Sequence, residues 1–191
     1  MIGRRAFLVG AAAWSVAPDV KAQAAAPRWI VDPGRSRIGF QAQAAGESIS
    51  GHVGAWTADL RLDPAQRSRG GVTLVLQTGS IRTGVSEADE LLGQPDLLHT
   101  ARHPTARFVS RTLAPRGADG VDVVGDLTLK GVTRRLRVPA SISVQQDRAT
   151  ATGRLTIDRT LFGVGQGAWG DPQLFGRNLL INFQLSARRS A

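Results

Sequence analysis

Hydrophobic and polar residues alternate along most of this chain. Near the C-terminus Leu179, Ile181, Phe183, Leu185 and Ala187 fall on every second position, against Leu180, Asn182, Gln184 and Ser186. That two-residue period belongs to a strand with one buried face. The same beat runs through residues 36–42 (Ile38, Phe40, Ala42), 71–77 (Val72, Leu74, Leu76), 104–112 and 149–157. A further strand is read over residues 51–62, ended by the turn Asp63-Pro64. The central stretch predicts a hairpin. Val123, Gly125, Leu127 and Leu129 share one face and lead into Lys130-Gly131. The return strand puts Leu136, Val138, Ala140, Ile142 and Val144 on one face and Arg137, Ser141, Ser143 and Gln145 on the other. Gly131 supplies the positive φ that so tight a reversal needs.

One segment breaks the period. Residues 86–92 read Ser-Glu-Ala-Asp-Glu-Leu-Leu, with Ser86 as a capping residue, Asp89 three places on, and Gly93 and Pro95 as stops. Residues 95–98 are expected to add one more turn. About eight strands with a short helical insert around residues 86–99 predict an all-β fold, a closed antiparallel eight-stranded barrel. Closure removes the sheet edges that would otherwise template aggregation.

The chain of 191 residues is long enough for one domain with a sizeable core. No linker, repeat or low-complexity tract divides residues 25–191, which read as a single domain. Residues 1–24 read instead as an export signal: Arg4 and Arg5 carry the charge, residues 7–16 are apolar, and Ala22-Gln23-Ala24 offers a cleavage site. The apolar run is too short to span a bilayer. The Arg pair followed by Phe7-Leu8 resembles a twin-arginine signal, with an ordinary secretory signal as the alternative. Either places the protein in the periplasm or outside the cell. The chain has no cysteine, which excludes disulfides, thiolate nucleophiles and a lipidated N-terminal Cys. The net charge is +9, but the arginines scatter along alternating positions as solvated strand faces would place them. Nucleic acid is therefore not an expected partner, whereas anionic head groups remain open.

Little in the chain looks like catalysis. His99 and His103 lie four apart, a spacing that would suit a metal on a helix, yet Pro104 follows at once and no third ligand is placed. We expect no metal there, and read His103 as a capping or surface group. Asp158 and Arg159 are adjacent, so on a strand they point to opposite faces and cannot act together; a structural role at a turn is expected. Trp29, Trp56 and Trp169 suit a barrel rim or a core plug, and Trp169, in a glycine-bearing loop, is expected to pack the barrel end, with a gate at one mouth as the alternative. Ala42, Ala106, Gly125, Ala140, Gly153 and Ala187 are small residues at inward positions, which suits a slender ligand inside the barrel, with a packed barrel and no ligand as the alternative.

Several motifs in order carry a family resemblance. They are Trp29-Ile30-Val31-Asp32-Pro33 with Ser36, Ile38 and Phe40; Ile81-Arg82-Thr83-Gly84; Asp96-Leu97-Leu98; His103-Pro104; Phe108 with Ser110; Gly125-Asp126-Leu127-Thr128-Leu129-Lys130-Gly131-Val132-Thr133; and Ile157-Asp158-Arg159 with Phe162-Gly163-Val164. Across residues 28–188 the chain resembles the YceI-like, polyisoprenoid-binding, lipocalin-like proteins. The resemblance implies a non-enzymatic barrel with an apolar tunnel for a long-chain isoprenoid amphiphile: a polyprenyl phosphate, an isoprenoid quinone or a similar lipid. No other cofactor is implied. The expected tunnel lining is Ile38, Phe40, Ala42, Leu74, Leu91, Leu98, Phe108, Leu127, Phe162, Trp169 and Phe183. Residues 165–171 look most like members found beside cytochrome b561-type membrane proteins. The alternative role is thus a periplasmic accessory of such a membrane redox or stress-response system, meeting its partner at the inner membrane. Whether two barrels pair as a homodimer is left open. One departure stands out: where relatives carry Arg and His in the insert, this chain has Ala88 and Leu91.

Overall fold

The computed structural model describes residues 25–190, so the export-signal reading of residues 1–24 falls outside the described residues. Among the described residues eleven strands and one α-helix form, in the order β1 (Arg28–Val31), β2 (Arg37–Ala44), β3 (Glu47–Val53), β4 (Trp56–Leu62), β5 (Gly70–Gln77), β6 (Ile81–Arg82), α1 (Ser86–Leu92), β7 (Thr105–Arg116), β8 (Gly120–Leu129), β9 (Val132–Gln145), β10 (Arg148–Asp158) and β11 (Asn178–Arg189). All pairings are antiparallel. β1, β4, β5, β7, β8, β9, β10 and β11 close into a ring, because β1 pairs with both β4 and β11.

The three strands outside that ring are the other halves of bent wall strands. β2 continues β1 after a 3-10 turn at Pro33–Arg35, β3 runs into β4, and β6 follows β5 after a turn at Thr78–Ser80. These halves extend the wall along β11-β2-β3-β6. The expected eight-stranded barrel is therefore present, with β1 as a strand that the alternation alone did not bring out. Residues 51–62, read as one strand, are broken at Gly54-Ala55. There the backbone turns to bond the neighbouring corner: Gly54 N–H donates to Ser80 O at 2.9 Å and Ala55 N–H to Ser80 Oγ at 2.8 Å.

The central hairpin forms as read. Leu129 pairs with Val132 across Lys130 (φ 48°) and Gly131 (φ 76°), a two-residue turn with both central residues left-handed. Helix α1 covers the expected residues, but its cap differs. Val85 occupies the N-cap with no side-chain bond, and Ser86 is already helical. Asp89 instead reaches back beyond the cap, accepting from Thr83 N–H at 2.6 Å and Thr83 Oγ1 at 2.7 Å. Those bonds hold its carboxyl below the ordinary carboxylate range.

Charge on the outer wall is organised across strands. Asp126 on β8 accepts from Arg135 Nε at 3.0 Å on one side and Arg111 Nε at 2.8 Å on the other. The Arg135 bond, then the Arg111 bond, depress its pKa. A depressed carboxylate stabilises the fold fully above the unfolded-state value and loses that contribution as pH falls through the folded-state value. Asp126→Asn should therefore lower thermal stability at neutral pH and flatten the acid side of the stability profile. Melting curves from pH 2 to pH 7 check this, and an unchanged acid limb would contradict it.

Candidate functional site

Inward side chains sort into three tiers along the barrel axis. At one end Trp29, Leu62, Leu113, Val121, Ile142, Ala149 and Ala187 are buried in one cluster. At the other, Leu98, Ala106, Leu129, Ile157, Phe162 and Val164 form a second. Between them Phe40, Leu74, Phe108, Leu127, Leu136, Val138, Leu155 and Phe183 lie on the same inner faces but are only half-buried. Phe108, Val138 and Phe183 pack against the first cluster and Leu127, Leu136 and Leu155 against the second, and their partial exposure leaves accessible surface at the waist.

The first end is plugged by Trp29, which is 1% exposed and whose Nε1 donates to Leu62 O at 2.9 Å. The second end is roofed by two segments, the helical insert and the loop between β10 and β11. Asp96 O accepts from Gly165 N–H at 2.8 Å and Gln166 N–H at 3.0 Å, and Lys130 Nζ donates to Gly163 O at 2.7 Å. Burial of that ammonium lowers its pKa, with Asp96 acting in the opposite sense.

Arg159 organises the roof. It is fully buried, and its guanidinium donates to Val164 O (2.7 Å), Gly165 O (3.0 Å), Gly176 O (2.9 Å), Trp169 O (2.8 Å) and Phe175 O. The Phe175 ring lies 4.1 Å from its Cζ, and Trp169 stacks edge-on against Phe175. Gly165 is bound to this place: at φ 75° it faces the guanidinium so closely that any Cβ would collide with Nη1. Asp158 does not pair with Arg159. It caps the following turn through Thr160 and meets Arg177 at 3.4 Å, and the Thr160 hydroxyl is the main cause of its depressed pKa. Asp158 ends β10 and Arg159 opens the 3-10 turn Arg159–Phe162, and both hold the turn and loop that follow, the structural role expected of them.

The wall opens laterally in two places. Pairing of β9 with β10 runs from Gln145↔Arg148 to Ala140↔Gly153 and stops; residues 132–139 and 154–158 have no partners in each other. Pro139, with no N–H to donate, stands where the ladder ends. The second opening is a pocket of about 530 Å³ where β1/β2 parts from β3/β4, lined among others by Pro33, Arg37, His52, Ala55, Trp56 and Gln77.

Arg134 is the residue that reading the sequence missed. It stands opposite Leu127 in the β8–β9 register, hence on the inner face between Val132 and Leu136, beside the β9/β10 slot. Its side chain is exposed and has no hydrogen-bond or ion-pair partner among the described residues. The signal was available: Thr133-Arg134-Arg135 interrupts the alternation, and counting back by twos from Leu136 puts Arg134 on the apolar face.

Most of the expected lining residues gather inside the barrel. Phe40, Leu74, Phe108, Leu127 and Phe183 form the half-buried waist, Ile38 and Ala42 are buried on the inner face of β2, and Leu98 and Phe162 belong to the roof cluster. Leu91 does not join them. It is 42% exposed, and its neighbour Leu92 packs on the roof cluster instead. One residue on a helix turns about 100°, which is enough to exchange the inner and outer faces. Trp169 is half-buried within the roof loop rather than in the waist. His99 and His103 do meet, ring centroids 5.8 Å apart and edge to face. His103 packs over the Lys130-Gly131 turn, and desolvation, then Arg102, hold it below the ordinary histidine value.

Residues 29–187 match the family described as the YceI-like domain. A UPF0312 protein of Pseudomonas savastanoi pv. phaseolicola is 30% identical over 122 residues, which is 61% of this chain and 64% of the relative, just under two thirds of that protein's length. The crystal structure of Burkholderia cenocepacia BcnA superimposes with a TM-score of 0.79 at 27% identity, covering 82% of this chain and 98% of that one. A polyisoprenoid binding domain from Saccharophagus degradans shares the fold, with a TM-score of 0.68 at 18% identity over 86% of this chain and 99% of that one.

Proposed function

This chain belongs to the YceI-like domain family, and from that membership together with its apolar waist we propose an exported, non-enzymatic binding protein for a long-chain isoprenoid amphiphile such as a polyprenyl phosphate or isoprenoid quinone. The observation that carries the reading is the half-buried apolar belt between two closed ends. Open apolar volume costs stability when empty and is offset when filled by a matching chain. Each methylene taken from water contributes about 0.8 kcal/mol, so a long tail supplies affinity with little demand on its head group. Export is supported by Arg4, Arg5 and the apolar run that follows them. A binder rather than a catalyst is supported by the use of Asp158 and Arg159 in holding loops.

In this reading the tail occupies the waist and Arg134 meets an anionic head group at the β9/β10 slot. The test is to purify the exported protein gently, extract it with organic solvent, and identify what is released by mass spectrometry. A stoichiometric isoprenoid lipid supports the reading. A protein that is repeatedly empty and also takes up no long-chain fluorescent probe contradicts it. For the head group, Arg134→Ala should weaken a phosphate-headed chain by about ten-fold, as expected for one lost charge-assisted contact. The corresponding alcohol should bind as before. Equal effects on both would remove Arg134 from the head-group site.

A further inference from the structure

All three inward phenylalanines of the barrel wall lie over a glycine of the adjacent strand. Phe40 on β2 is directly opposite Gly51 on β3, and Phe183 on β11 directly opposite Gly153 on β10. Phe108 on β7 reaches diagonally to Gly125 on β8, whose register partner is Ser110. A Cβ added at Gly51 would sit 2.5 Å from Phe40 Cζ and nearer still to Arg82 O, and one at Gly125 would sit 2.5 Å from both Phe108 Cζ and Val109 O. At Gly153 it would sit 2.6 Å from Phe183 Cε1 and closer still to Cζ. The tips of the rings, not their bases, make these approaches. Each ring has therefore leaned sideways onto its neighbour strand instead of standing up into the barrel.

The consequence is geometric. An eight-stranded barrel has an interior only wide enough for its own side chains or one slender ligand. A phenylalanine standing upright at any of these levels would reach the axis and fill that space. Laid against the wall over a residue with no side chain, it contributes an apolar, smooth lining and leaves the axis clear. Three such pairs on β2/β3, β7/β8 and β10/β11 treat separate parts of the circumference in the same way.

Resting on the lipid-binding reading above, we infer that Gly51, Gly125 and Gly153, by letting Phe40, Phe108 and Phe183 lie flat, set the bore of the lumen and select a methyl-branched isoprenoid tail over a straight one. A polyprenyl chain carries a methyl on every fourth main-chain carbon and needs a wider sleeve than a polymethylene chain of equal length. A sleeve matched to the wider chain leaves gaps around the narrower one, and those gaps forfeit dispersion contacts.

The test pairs geranylgeranyl phosphate with hexadecyl phosphate, whose heads are identical and whose main chains are equally long, in competition on the full chain by native mass spectrometry. The wild type should prefer the branched ligand. Gly153→Ala, whose Cβ forces the Phe183 ring off the wall, should cut that preference by about ten-fold, mainly through loss of the branched ligand. Adding Phe183→Ala to Gly153→Ala should restore it. The Gly153 position also lies close to Pro139 O, 2.6 Å from an added Cβ, so Phe183→Ala alone guards against a variant that does not fold. It widens the bore without touching a glycine and should weaken hexadecyl phosphate several-fold more than the branched ligand. Equal binding of the two phosphates by the wild type, or a folded Gly153→Ala with unchanged preference, overturns this inference and leaves the lumen reading standing. Binding of neither phosphate overturns both.

Discussion

Replacing Arg159 with methionine should lower the melting temperature by about 10 °C and release the roof loop over residues 163–177. Methionine fills a comparable space and removes the charge, so the change isolates the hydrogen bonds. Five carbonyl oxygens of that loop accept from one guanidinium, and none has a substitute donor in a methionine. Stranding a buried acceptor costs about 1–3 kcal/mol, although oxygens near the surface recover water. A net loss of about 3–5 kcal/mol follows, and each kcal/mol moves the melting point of a domain this size by about 2–4 °C. Lysine should not rescue the variant, because an ammonium offers three donors from a single point where the site needs a planar fork. Hydrogen exchange should show the loss concentrated in residues 163–177, with the strands protected almost as before. Because this loop roofs the lumen, a preloaded fluorescent lipid should also leave faster. A variant that melts within about 2 °C of wild type with the loop still protected would show that the loop holds itself together.

Arg159 also shows where reading the sequence reaches its limit. Its place beside Asp158, just before Phe162-Gly163, suggested a structural role at a turn, and the 3-10 turn Arg159–Phe162 is there. That the guanidinium is fully buried and serves carbonyls up to seventeen residues away does not follow. Those partners belong to an irregular loop whose path depends on the insert's Asp96 and on Phe175, and no periodicity encodes such a path. The strands were legible for the opposite reason. A wall wet outside and apolar inside forces period two on every segment, and a misplaced residue shows as a break in the beat. β1 escaped because four residues are too few to display a period, and because exposed Ile30, at 61%, stands where an apolar residue would suggest burial.

The waist was legible as a set of inward residues but not as a space. Small side chains at Gly125, Ala140 and Gly153 pointed to room inside, yet a glycine can equally be covered by a neighbour. Here it is covered, by the phenylalanine rings, which lie along the wall. Volume added up from composition would have assigned those rings to the lumen. Likewise Leu91 and Leu92 are equivalent in hydrophobicity, and only the rotation of α1 as it docks decides which of them turns inward. Docking angles are tertiary quantities, set by the Asp89–Thr83 bonds at one end of the helix and the turn after Gly93 at the other.

Trp29→Ala should be the most damaging single change in the wall. At the end plugged by Trp29 the ring is closed through β1, by two residue pairs with β4 and three with β11. Leu62 N–H to Pro27 O, Asp32 N–H to Ser186 O and Ser190 N–H to Arg28 O add to these pairs at the strand's ends, and the indole fastens its middle. It belongs to the buried cluster at that end at 1% exposure and fastens β4 through Leu62 O. Truncating a buried aromatic to alanine costs about 3–5 kcal/mol, and the orphaned Leu62 carbonyl adds to that. Trp29→Phe separates the two contributions: it keeps most of the packing, loses the N–H, and should cost about 1–2 kcal/mol. Beyond the lower melting point, the alanine variant should fray β1 and so uncover the edges of β4 and β11. Free edges pair with other chains, so its light scattering should rise with concentration where the wild type's does not. Hydrogen exchange should be fastest at residues 28–31 and 187–189, the two sides of the opened seam. If the alanine variant scatters like wild type and keeps those amides protected, closure resides in the backbone ladder and the indole is only filler.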